Sequence, residues 1–172
     1  MKYWLFASLL LPALSVAEPD YQVPDNWPSL IEQVTYSDPE TLKGLPENIF
    51  SFGLILDGDH TSQLNNALRF SLLKATSQTL DVLSIIDNHD GGENSSLIQR
   101  FNTESVCSPS LGFLYDKLSV LRYYQQVSLV LKNSKHKNSK LCLWLMSETM
   151  EEFNYEEKRG TMKWGTLTYP AP

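Results

Sequence analysis

Two short clusters hold most of the side chains in this sequence that are suited to chemistry. The first is Asp57, Asp59 and His60; the second is Asp87, His89 and Asp90, with Glu93 just beyond. Carboxylates and imidazoles gathered at one edge suit a divalent cation, oxygen ligands favouring Ca²⁺ or Mg²⁺ and the histidines admitting Zn²⁺ or Mn²⁺. A water activated by such an ion would make a small hydrolase. The competing reading is local. Asp57-Gly58 is a turn dipeptide, Asp59 suits a helix N-terminus, and Asp90-Gly91-Gly92 has loop composition. No metalloprotease, EF-hand, P-loop or nucleophile-elbow spacing occurs, and no cofactor is called for.

For the two clusters to meet, the elements that carry them must bring their ends together. Residues 48–56 form a nearly continuous apolar run that stops at Asp57-Gly58, and residues 79–86 form a second, partly β-branched run that stops at Asp87-Asn88. Each reads as a buried strand. Between them Leu64, Ala67, Leu68, Ser71, Leu72 and Ala75 keep helical spacing, with Asp59, Thr61 or Ser62 as the expected cap. Strand, helix, strand predicts a right-handed β-α-β unit whose C-terminal strand ends lie side by side, the usual place for a ligand.

Further along, short helices are expected over 95–101, with Asn94 or Ser95 as cap, and from Leu111 to Leu121. The remainder reads as β: residues 127–131 and 141–146 around a lysine-rich connection at 132–140, then 152–155 and 161–169. The expected fold class is α+β, a single domain over 47–172 with a C-terminal antiparallel sheet. Residues 18–46 carry Pro19, Pro24, Pro28, Pro39 and Pro46 and read as an extended arm anchored by apolar side chains such as Trp27.

Residues 1–17 read as a secretory signal peptide, with Lys2, an apolar stretch from Tyr3 to Val16 and small residues at Ser15 and Ala17. The stretch is short for a membrane span and contains Pro12, so cleavage is expected and no transmembrane span is expected after it. Export gives the two cysteines, Cys107 and Cys142, an oxidising compartment, and one disulfide is expected between them. A formal net charge of −6 disfavours nucleic acid as a partner.

These features point to a periplasmic or secreted, non-catalytic accessory or binding protein that acts on an envelope or extracellular protein. Stabilising a membrane-bound partner or assisting envelope, pilus or secretion assembly would fit, with aromatic strand edges adding to a partner's sheet. Trp27, Tyr155 and Trp164 are the candidate contact residues. The metal-dependent hydrolase is one alternative, and an immunity or inhibitor protein against a toxic enzyme is another. The sequence fixes no oligomeric state.

Overall fold

Helices, and no strand, build the described residues of the computed structural model, which are 23–89, 95–108 and 114–169. In chain order they are α1 (Trp27–Thr35), α2 (Pro39–Phe52), α3 (Gly58–Lys74), α4 (Thr76–Asp87), α5 (Ser96–Phe101), α6 (Thr103–Cys107), α7 (Lys117–Asn133) and α8 (Ser139–Lys158). The expected α+β class is therefore overturned. Both strands of the β-α-β unit are helical: the run at 48–56 is the end of α2 and the turn after it, and the run at 79–86 lies within α4. The C-terminal sheet is likewise absent among the described residues. Residues 127–131 belong to α7, 141–146 and 152–155 belong to α8, and 161–169 run extended with a single parallel bridge between Tyr115 and Leu167.

Two prolines of the expected arm mark helix starts, and Pro19 lies outside the described residues. Pro28 sits in the first turn of α1 and Pro39 in the first turn of α2, where a missing N–H breaks no bond and the fixed φ already suits a helix. Asp38 caps α2 by accepting from the Thr41 N–H at 2.8 Å. Pro46 is inside α2, where it removes one backbone bond, yet it is buried with Leu42, Leu45 and Ile49 on the face turned inward. Burial of about 1.5–3 kcal/mol per aliphatic side chain offsets that loss.

The strand-like run of α4 has a tertiary explanation. α4 packs against α2, α3, α5 and α6, and it buries Thr79, Leu80, Val82, Leu83, Ser84 and Ile86. A helix enclosed on several sides needs no wide polar face, so its sequence loses the helical stripe. α3 does keep its stripe: Leu64, Ala67, Leu68, Ser71 and Leu72 are all buried. This helix touches α1, α4, α5, α6 and α7 and forms the centre of the core.

α7 and α8 form an antiparallel hairpin on one side of α3 and α6, joined through the lysine-rich connection. Lys117 binds both carboxylate oxygens of Glu157 at one end, and the Tyr124 hydroxyl lies 3.2 Å from that of Ser147 midway along. α8 ends at Gly160 with φ +69°, where the Gly160 N–H donates to Glu157 O and the Thr161 N–H to Glu156 O, a Schellman closure. The chain then crosses back over residues 114–116, and a side chain at Gly165 would collide with the backbone of Leu114 and Tyr115. That close approach delivers Tyr169 into a buried aromatic cluster with Phe70, Tyr115 and Tyr123, at centroid distances of 4.6–4.9 Å.

Candidate functional site

Local contacts occupy the two chemical clusters. Asp57, not Asp59, Thr61 or Ser62, is the N-cap of α3: its Oδ1 accepts from the His60 N–H at 2.8 Å and lies 2.8 Å from His60 Nδ1. Those two hydrogen bonds from His60 hold the Asp57 carboxyl below the ordinary carboxylate range. Asp87, the last residue of α4, accepts from the Thr103 N–H at 2.9 Å and from its hydroxyl at 2.6 Å, tying α4 to the start of α6. His89 stacks on Phe50 with ring centroids 3.9 Å apart. Asp59 is exposed in the first turn of α3, and Asp90 lies outside the described residues. No group of three or more His, Cys, Asp or Glu among the described residues is placed to hold a metal ion.

The three aromatic candidates separate sharply. Trp27 is only 6% exposed: its Nε1 donates to Gln63 Oε1 at 2.8 Å, and its ring meets Phe52 and His60 edge-on. Trp164 is half-buried, edge-on to Phe153, and donates to Glu157. Tyr155 is 60% exposed, with the Arg159 guanidinium 5.4 Å from its ring centroid.

Tyr155 belongs to a longer surface that the strand reading concealed. On α8 the exposed positions Leu141, Trp144, Glu148, Glu151 and Tyr155 recur at i, i+3, i+7, i+10 and i+14, one stripe along the outward side. Trp144 is 56% exposed. On α7 the exposed positions Leu118, Arg122, Gln125, Leu129 and Lys132 form a second such stripe. Half of the large exposed apolar side chains of the described residues lie on this hairpin. An exposed Trp one turn from an exposed Leu on a rigid helix, with a Tyr further along the same stripe beyond two glutamates, has the residue types of a protein-docking anchor.

The hairpin's rigidity comes from its inward side. Cys142 of α8 is bonded to Cys107 of α6, and both are fully buried, so the expected disulfide is present. Beside it, the buried Arg69 of α3 donates from Nε to Val106 O at 3.1 Å, from Nη2 to Ser105 O at 2.6 Å and from Nη1 to Asn66 Oδ1 at 2.7 Å. Two of these acceptors are carbonyls at the C-terminal end of α6, which a helix leaves without internal donors. Burial draws the Arg69 pKa below its ordinary value, and burial also pushes the Tyr123 phenol up. Tyr123 donates its hydroxyl to Arg69 O at 3.1 Å, fastening α7 to α3. Sequence reasoning had no handle on Arg69, because a lone Arg on a helical stripe looks like a solvated position until its acceptors are known.

At the end of the hairpin the connection encloses a cavity of about 560 Å³ lined by Lys132, Lys135, Lys137 and Lys140 together with His136. This connection joins two helices and not two strands. His136 is mostly covered: its Nδ1 accepts from the Asn138 N–H at 3.1 Å, so the neutral ring carries its proton on Nε2, which faces Asp81 Oδ1 at 3.1 Å. The loop is thereby tethered to α4 instead of being freely solvated.

No helix among the described residues is long and apolar enough to cross a membrane. Comparison with protein-family models, with the curated proteins and with the solved structures gave no match.

Proposed function

We propose that this chain is an exported, non-catalytic binding protein that works by docking a protein partner on the outward side of α8. The observation that carries the reading is the exposed stripe of Leu141, Trp144 and Tyr155 on a helix whose opposite side is pinned by a buried disulfide. A rigid aromatic anchor loses little side-chain entropy on binding, which is how a small helical surface reaches useful affinity. The disulfide supports an oxidising compartment, and the N-terminal apolar stretch supports export as the route to it. Partner recognition is by helix face and not by strand addition, since residues 127–131, 141–146 and 152–155, which suggested a sheet edge, are helical.

The test is site-specific photo-crosslinking in the intact envelope, with the photoreactive residue at position 144 and a control at the buried position 27. A discrete protein adduct from 144 and none from 27 is the expected result. Equal labelling from both positions, or none from 144, would overturn the reading.

A further inference from the structure

The geometry points to a second copy of the same chain as the occupant of the α8 surface, the two α8 helices running antiparallel across a two-fold axis. This inference rests on the reading of that surface as a docking site and names what docks there. Charge is the argument. Lys132, Lys135, Lys137 and Lys140 gather at the N-terminal end of α8, while the exposed Glu148, Glu151 and Glu152 follow along the same helix. None of these seven side chains takes part in an ion pair among the described residues, where the Lys–Glu pair is Lys117 with Glu157.

A helix with one sign of charge at its start and the other further along is complementary to itself in one orientation. Parallel pairing would set lysine against lysine and glutamate against glutamate. Antiparallel pairing sets each basic end against the other copy's acidic stretch and also opposes the two helix dipoles. With the axis at the level of Met146, Lys140 of one copy lies level with Glu152 of the other, and Leu141 lies level with Glu151, whose methylenes can cover it. Trp144 of each copy then lies level with Glu148 of the other, and the two Trp144 side chains flank the axis about 6 Å apart along the helix direction at a rise of 1.5 Å per residue. Trp144 at the centre beside the methylenes of Glu148, with Lys140 and Glu152 outside them, is a self-complementary, isologous arrangement.

The experiment is sedimentation of the purified exported protein across a wide range of concentration, together with two charge-reversed chains. One carries Lys137→Glu and Lys140→Glu, the other Glu148→Lys and Glu152→Lys. All four positions avoid the core, and unchanged helicity by circular dichroism confirms that each variant is folded. The wild-type chain is expected to dimerise. Each variant alone should associate at least about tenfold more weakly, because like charges then face each other. An equimolar mixture of the two should recover a dimer, because both sets of contacts again join opposite charges. A wild-type chain that stays monomeric, variants that dimerise as well as wild type, or a mixture that stays monomeric would each overturn the inference. Monomeric wild type that still gives an envelope adduct from position 144 would remove the second copy and leave the docking reading standing. Monomeric wild type with no adduct would remove both.

Discussion

The inward and outward sides of α8 both carry large apolar side chains, and these have opposite fates. Inward, Cys142, Met146, Met150 and Phe153 are buried against α6 and α7; outward, Leu141, Trp144 and Tyr155 meet solvent. Large apolar side chains, aromatic ones among them, occupy both sides, so apolar character alone does not tell them apart. Contact does. The inward side is fixed by a covalent link and by packing, whereas the described residues leave Leu141, Trp144 and Tyr155 on the outward side exposed. One helix can thus be both a structural strut and a presented surface, and substitutions on its two sides should separate stability from binding.

Phe153→Ala should have the largest effect on stability. It empties a buried site edge-on to Trp164, and a loss of about 3–5 kcal/mol is expected in the unfolding free energy measured by denaturant titration. Removing the disulfide as Cys107→Ala with Cys142→Ala should come next. The bond closes a loop of sequence separation 35, and about 3–4 kcal/mol is expected to disappear from the same titration. Should the double variant keep wild-type stability, the bond is not what pins the inward side of α8.

A smaller effect belongs to the carboxylates at the ends of the hairpin. Asp116 caps α7 by accepting from the Ser119 N–H at 3.0 Å and its hydroxyl at 2.7 Å, and these bonds hold its carboxyl below the ordinary range. Glu157 is lowered by Lys117 in the same way. Because the folded-state pKa values are depressed, the stabilisation is present above the ordinary carboxylate pKa and is lost as pH falls through the depressed values. Asp116→Asn should therefore lower the neutral plateau of the Tm-against-pH curve and flatten its acid limb by the same amount, the two curves converging at low pH.

Trp144→Ala should have the smallest effect on stability, within about 0.5 kcal/mol, because the side chain is more than half exposed and has no hydrogen-bond partner among the described residues. The same substitution should weaken self-association. A substantial fall in Tm would instead place Trp144 with the inward side and collapse the distinction.

The contrast also explains which sequence signals could be read. The α3 stripe was legible because α3 buries one broad face of small and apolar residues at regular helical spacing. The apolar runs at 79–86 and 141–146 were not. In α4 the neighbours surround the helix; in α8 the inward Cys142 and Met146 are interleaved with the outward Leu141 and Trp144, with Leu143 and Leu145 half-buried between them. Both situations erase the polar gaps that reveal a helical period, and a short apolar run then looks like a strand. The strand reading of 141–146 also left Trp144 out of the candidate contact residues, because strand alternation does not show which of the C-terminal aromatics face outward. Of the chemical clusters, the turn and cap preferences of Asp57 could be read locally, but the Asp87 link to Thr103 depends on the approach of α6 to α4.

By itself the sequence determined the cysteine pairing, because two cysteines allow one intramolecular bridge, and it determined the unequal distribution of charge along the last third of the chain. The caps and first-turn prolines were also written locally, since they act within a few residues of the backbone they satisfy. The tertiary structure alone decided that the apolar runs are helices, that Arg69 is buried against the carbonyls closing α6, and that Trp144 faces outward. Each of these depends on which distant segment supplies the opposing surface, and burial is a property of that pair of surfaces and not of either sequence alone.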